Sequence, residues 1–162
     1  MVNGMPSLAL PDQGDEAHFT AEKPKEFTRE ERLEAERRRT LRHYSSEQTN
    51  AALRLYKLVK RCPDTGGGIR VAKFLLGLYN GTRFPFDLSD MRCFDAENFE
   101  AAITLLRAES TNFWCEIHVL LNAILGPGAN CGAEFESWAY DLRLPQRCKK
   151  ENLPPLPAVD FR

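Results

Sequence analysis

The chain has 162 residues, 43% of them hydrophobic and 28% charged, with a formal net charge of −1. That is enough for one domain with one core and stretches to spare at both ends. The near-zero balance excludes a global attraction to nucleic acid or acidic lipid, so any such binding needs a local patch.

No apolar run approaches the roughly eighteen residues of a spanning helix. The opening MVNGMPSLALPDQGDE has neither a basic n-region nor a continuous apolar h-region, so the cytoplasm is the expected compartment, with no membrane partner. Five cysteines (Cys62, Cys93, Cys115, Cys131 and Cys148) include no Cys-x-x-Cys pair and read as reduced thiols, several packed as small hydrophobes.

In chain order, residues 1–27 hold three prolines and no apolar period, the pattern of a disordered leader. Thr28-Arg-Glu-Glu31 is a capping box and opens a helix toward His43. Glu34 before Arg38 and Glu36 before Arg39 support it in the acid-first order. Its only apolar residues are Leu33, Ala35 and Leu41, too few for a core-facing stripe. Residues 28–44 therefore read as a charged, solvent-exposed helix, solvated or awaiting a partner.

Ser45 with Gln48 forms a second capping box and predicts a break near Tyr44. From Ala51 to Cys62 an amphipathic helix follows, with Ala52, Leu55, Val59 and Cys62 inward and Arg54, Lys57 and Arg61 outward; Pro63 ends it. Gly66-Gly67-Gly68 reads as a flexible turn. Between Ile69 and Tyr79 only Arg70, Lys73 and Gly77 are neither apolar nor aromatic, and their spacing puts them on one line of a central, buried helix. Asn80-Gly81 closes it.

The loop Thr82-Arg83-Phe84-Pro85-Phe86 is expected to pin both rings onto the core, since exposing them costs roughly 2 kcal/mol each. Asp87 caps a short turn from Leu88 to Arg92. Asp95 caps a helix from Ala96 to Glu109, with Phe94 and Phe99 as a hydrophobic staple. Its apolar stripe is Phe99, Ile103 and Leu106, widened by Ala102 and Leu105. Ser110-Thr111-Asn112 then caps a helix from Phe113 to Leu125, which Gly126–Asn130 breaks. A last helix, Ala133–Leu144, places Phe135, Trp138 and Leu142 on one face beside Ala139. Residues 146–162 read as a proline-rich extended tail. No strand pattern appears. The fold class is all-α: a compact helical domain of about five helices over 45–145, with an exposed charged N-terminal helix and disordered termini.

Chemistry is harder to find. The glycine run lacks the phosphate-loop order of glycines, Lys and Ser/Thr, and no strand precedes it. Asp87, Asp90 and Asp95 each sit where a helix cap or first-turn acid belongs, which explains them without a metal. Cys115 and His118, three apart on one expected helix face, lack the second ligand pair of a zinc site. No catalytic set, metal site or cofactor is therefore assigned, and the chain is not read as an enzyme. The cations Arg37, Arg38, Arg39, Arg42, Arg54, Lys57, Arg61, Arg70 and Lys73 are the candidate contacts to a partner or to phosphates. Against nucleic acid, few aromatics interleave with them, so base stacking is not signalled.

Two resemblances bear on this. Arg38 and His43 fit an Arg-x4-His spacing that resembles the motif of helical ribonucleases of the HEPN superfamily, though in so arginine-rich a helix the spacing arises readily by chance. Arg70-Val71-Ala72, Phe74-Leu75-Leu76, Tyr79-Asn80-Gly81, Phe86-Asp87-Leu88-Ser89-Asp90, Asp95 and Glu116-Ile117-His118 form a series of linked blocks. Over residues 65–145 the chain is similar to an uncharacterised bacterial domain family. Its members are small accessory proteins of plasmids, integrative conjugative elements and phages. That resemblance implies no activity or cofactor. It implies a mobile-element context, in regulation or counter-defence. The expected function is a non-enzymatic protein that binds a protein partner, with a nucleic-acid-binding regulator as the alternative.

Overall fold

A computed structural model of the chain describes residues 26–144, Arg147 and Glu151. The expected leader and proline-rich tail lie outside the described residues, save for Glu26, Phe27, Arg147 and Glu151. The described residues form α1 (Arg29–Arg42), α2 (Ser46–Arg61), α3 (Gly66–Asn80), a 3₁₀ turn (Leu88–Cys93), α4 (Ala96–Thr111), α5 (Ile117–Leu125) and α6 (Cys131–Asp141), with no strand among them. The all-α class stands, with the six α-helices the sequence suggests and the short turn after Asp87 formed as 3₁₀.

Both capping boxes form. Thr28 accepts from the Glu31 amide while Glu31 reaches back, and Ser45 and Gln48 do the same at the start of α2. The reciprocal bonds satisfy amides that a helix start leaves without partners. His43–Ser45 is therefore a true break between α1 and α2.

The core is built on α2 and α3. Leu55, Leu75, Leu76 and Ala52 have no exposed surface, and Phe74 and Val71 have almost none. α2 packs on α4 and α3, while α3 packs also on α5, α6 and the 3₁₀ turn. Phe84 is buried as expected, and Phe86 meets Phe74 edge-on at 5.4 Å.

Four sequence expectations are corrected. The three glycines are not a flexible turn but the first turn of α3, because Thr65 caps it by accepting from the Gly68 amide. In α4 the buried side is Asn98, Ala101, Ala102, Leu105 and Ala108, and Phe99 stands 37% exposed. The buried residues there are mostly alanines, and α2 answers with Ala51 and Ala52, so small side chains let these two helices approach. The helix expected from Phe113 starts only at Ile117, leaving 112–116 as a loop. α6 starts at Cys131 rather than Ala133, since the Asn130 side chain caps it.

α1 is docked along α5. Thr40 is buried, and Arg37 Nε donates to the Ala123 carbonyl at 2.7 Å. The rest of α1 faces solvent or only partly shields itself.

Candidate interaction surface

The loop 112–116 brings α1, α2 and α5 together. Asn112 Nδ2 donates to the His43 carbonyl at 2.8 Å, which fastens the loop to the α1–α2 break. The Tyr44 hydroxyl lies 3.2 Å from the Cys115 carbonyl and 3.6 Å from its Sγ. Held this way, the loop carries Phe113 and Trp114 outward, 61% and 38% exposed. His43 stacks on Trp114 with ring centroids 3.5 Å apart, and the Arg39 guanidinium lies 5.0 Å from the same indole. Two large aromatics, a cation and an imidazole thus share one corner, with Arg42 exposed one position before His43.

Behind the corner sits Glu109, near the end of α4. Burial, and then the neighbouring Glu116 carboxylate, push its carboxyl up to about 7. The Cys115 thiol is also raised, first by burial. Because Glu109 holds its proton more tightly folded than unfolded, its stabilisation is full below the ordinary carboxylate range and lost as pH rises through about 7. Glu109→Gln is accordingly expected to match the parent at pH 4 and to exceed its stability at pH 8. The gain is roughly 1 kcal/mol after allowance for solvent screening of a half-exposed group. Urea titrations at the two pH values check it.

The nine candidate cations fall at separate places. Arg37 clamps α1 to α5 and faces Glu34 at 3.5 Å; Arg38 pairs with Glu34 at 2.9 Å. Arg39 joins the aromatic corner. Arg42 lines a groove on another side of α1. Arg54 is bound to the first turn of α4, through Asn98 at 3.0 Å and through Glu97. Lys57 and Arg61 are exposed on α2. Arg70 faces Asp90 of the 3₁₀ turn at 3.5 Å, and exposed Lys73 edges a small cavity beside Phe84 and Phe86. Several of these therefore already pair with acids: Arg37 and Arg38 within α1, Arg54 across to α4 and Arg70 across to the 3₁₀ turn.

Asp87 and Asp95 cap as expected, accepting from the amides of Ser89 and Asn98. Cys115 and His118 are not on one helix face, because Cys115 lies in the loop while His118 is inside α5, edge-on to Tyr79 at 5.0 Å. Among the described residues no three His, Cys, Asp or Glu side chains are grouped to hold a metal ion. No helix of the described residues is long and apolar enough to cross a membrane.

One polar centre is absent from the sequence reading. Glu136 of α6 has no exposed surface. Arg83 meets both its carboxylate oxygens at 2.7 Å, and the Tyr79 hydroxyl donates to one of them at 2.9 Å. The bond to Glu136, more than any other contact, holds the Arg83 guanidinium protonated. Arg83 also donates to the Arg147 carbonyl at 2.7 Å and lies 4.6 Å from the Phe84 ring. The signal was present: Glu136 lies between Phe135 and Ala139, inside the arc that α6 buries. The centre buries Glu136 completely, leaves Arg83 only partly exposed, and ties the loop after α3 to α6, which suits a structural lock rather than a binding site.

The model of a family of unknown function (DUF7673) matches residues 49–137, from within α2 to within α6. The span starts earlier and ends earlier than the likeness over 65–145, and it leaves α1 outside. No curated protein and no solved structure matches the chain.

Proposed function

The chain belongs to this family of unknown function, and from that premise we propose that it is a non-enzymatic accessory protein that docks on a protein partner through the aromatic corner. The observation that carries this reading is Phe113 and Trp114 held out of the core beside Arg39. Tryptophan and arginine are among the residue types that most often carry interface energy: the indole offers a large rigid area with few lost rotamers, and the guanidinium offers a fixed fork of donors. The docked α1 and the pinned loop give the corner a fixed shape before any partner arrives, which lowers the ordering cost of binding. A cytoplasmic accessory role on a mobile genetic element, in regulation or counter-defence, is part of the proposal; the motif blocks from Arg70 to Asp95 support it.

A second reading has its own observation. The structure places aromatics against cations where the sequence alone separates them, and this combination also suits single-stranded nucleic acid. A tagged pull-down of the full chain, with and without nuclease, separates the two. Under the first reading a stoichiometric protein survives nuclease, and Trp114→Ala reduces its recovery at least roughly tenfold, while Lys57→Glu leaves it unchanged. Nucleic acid recovered with steep salt dependence, and protein lost on nuclease, replaces the first reading with the second. Recovery indifferent to Trp114→Ala refutes the corner in either role. Arg37 is not a useful probe, since its bond to Ala123 makes it part of the fold.

A further inference from the structure

On the flank of α1 away from Arg39 and His43, an open groove of about 870 Å³ runs along the helix. Its lining follows the i, i+4 row Glu30, Glu34, Arg38, Arg42, with Phe27 and Leu41 among the apolar members. The row is acidic in its first half and basic in its second. Arg29 and Arg32, which would blur that division, do not line the groove. Phe27 is 58% exposed, and Glu30, Arg38 and Arg42 are exposed, although the same helix is firmly anchored through Thr40 and Arg37.

We propose that this face pairs α1 with α1 of a second copy of the chain, antiparallel, about a two-fold axis at the level of Glu36. In that register Glu30 of each copy stands opposite Arg42 of the other, and Glu34 opposite Arg38, so four ion pairs form symmetrically. The self-complementarity required of a two-fold interface is thus written into one helix. A parallel arrangement sets acid against acid and base against base, and is excluded by repulsion. Antiparallel packing also opposes the two helix dipoles favourably. The existing Glu34–Arg38 contact at 2.9 Å uses one edge of the guanidinium and leaves further donors for the partner. Charges fix the orientation and register, while Phe27 and Leu41 close the two ends with apolar contact. The surface lies outside the family match at 49–137 and is independent of the aromatic corner, so the two proposals stand or fall separately.

The test is sedimentation equilibrium of the full chain at low and high salt, with two charge-swapped variants. Glu30→Arg/Glu34→Arg makes the i, i+4 row wholly basic, leaving Glu31 at its edge, and Arg38→Glu/Arg42→Glu makes the row wholly acidic. The parent is expected to dimerise, more weakly in high salt. Each swapped variant alone should lose on the order of tenfold or more in dimer affinity, and an equimolar mixture of the two should recover it. Because Glu34 and Arg38 also contact each other, circular dichroism is recorded, and the single changes Glu30→Arg and Arg42→Glu repeat the mixing experiment without touching that pair. A parent monomeric at every salt overturns the proposal and leaves the groove to a different partner. A dimer indifferent to the swaps overturns it too, as does a failure of the mixture to recover.

Discussion

Arg83→Met is expected to destabilise the fold by about 3 kcal/mol or more. The substitution preserves the length of the side chain and its packing against Phe84, but removes both bonds to Glu136. The Glu136 carboxylate, which has no exposed surface, then loses the two bonds of this guanidinium. A buried carboxylate that loses its cation either takes up a proton or draws in water, and each route costs free energy. The paired change Arg83→Met/Glu136→Leu removes both charges and is expected to recover most of the loss, because a buried ion pair contributes little net stability over an apolar pair of similar volume. Urea unfolding of the parent, both single variants and the double variant gives the coupling directly. A purely additive cycle contradicts the lock.

How far the sequence leads depends on what each residue does. Caps were legible because their chemistry is local. Thr28, Ser45, Asp87 and Asp95 each act within three residues, and all four form. The periodicity of α2 and α3 was legible because large apolar residues mark the buried side. α4 was misjudged for the converse reason: its buried face is mostly alanine, and the larger Phe99, Ile103 and Leu106 look more core-like than they are. The aromatic corner is a tertiary product. Arg39 and Trp114 lie far apart in sequence, and residues 113–116 of the loop that joins them read as a helix start because a Ser-Thr-Asn cap precedes them. Glu136 was passed over because a lone acid on an amphipathic helix is ordinarily solvent-facing, and its partner arises from a different loop. The candidate cations show the same limit: their sequence positions say where the charge is, and only the fold says which acid each one already meets.

Gly68→Ala is expected to cost about 3 kcal/mol or more, whereas Gly67→Ala, one residue earlier in the same helix, is expected to be neutral or stabilising by up to about 1 kcal/mol. Propensity alone favours alanine equally at both positions, so the contrast isolates packing. A Cβ at Gly68 would stand 1.9 Å from the Cys62 carbonyl oxygen, and the obstacle is backbone, which no rotamer change can move aside. A Cβ at Gly67 meets nothing within 4 Å. The close approach at Gly68 has a structural cause. The Cys62 carbonyl accepts from both the Thr65 amide at 3.3 Å and the Thr65 hydroxyl at 3.0 Å, while that hydroxyl accepts from the Gly68 amide at 3.1 Å. Together these bonds fold the end of α2 onto the first turn of α3. The tight turn from Cys62 to Thr65 therefore exists only if position 68 has no side chain, and the two helices at the centre of the core take their mutual angle from it. Thermal unfolding of the two alanine variants is the measurement. Equal behaviour of the two contradicts this account of the α2–α3 junction, and a loss at 68 alone identifies the glycine run as a packing device rather than a hinge.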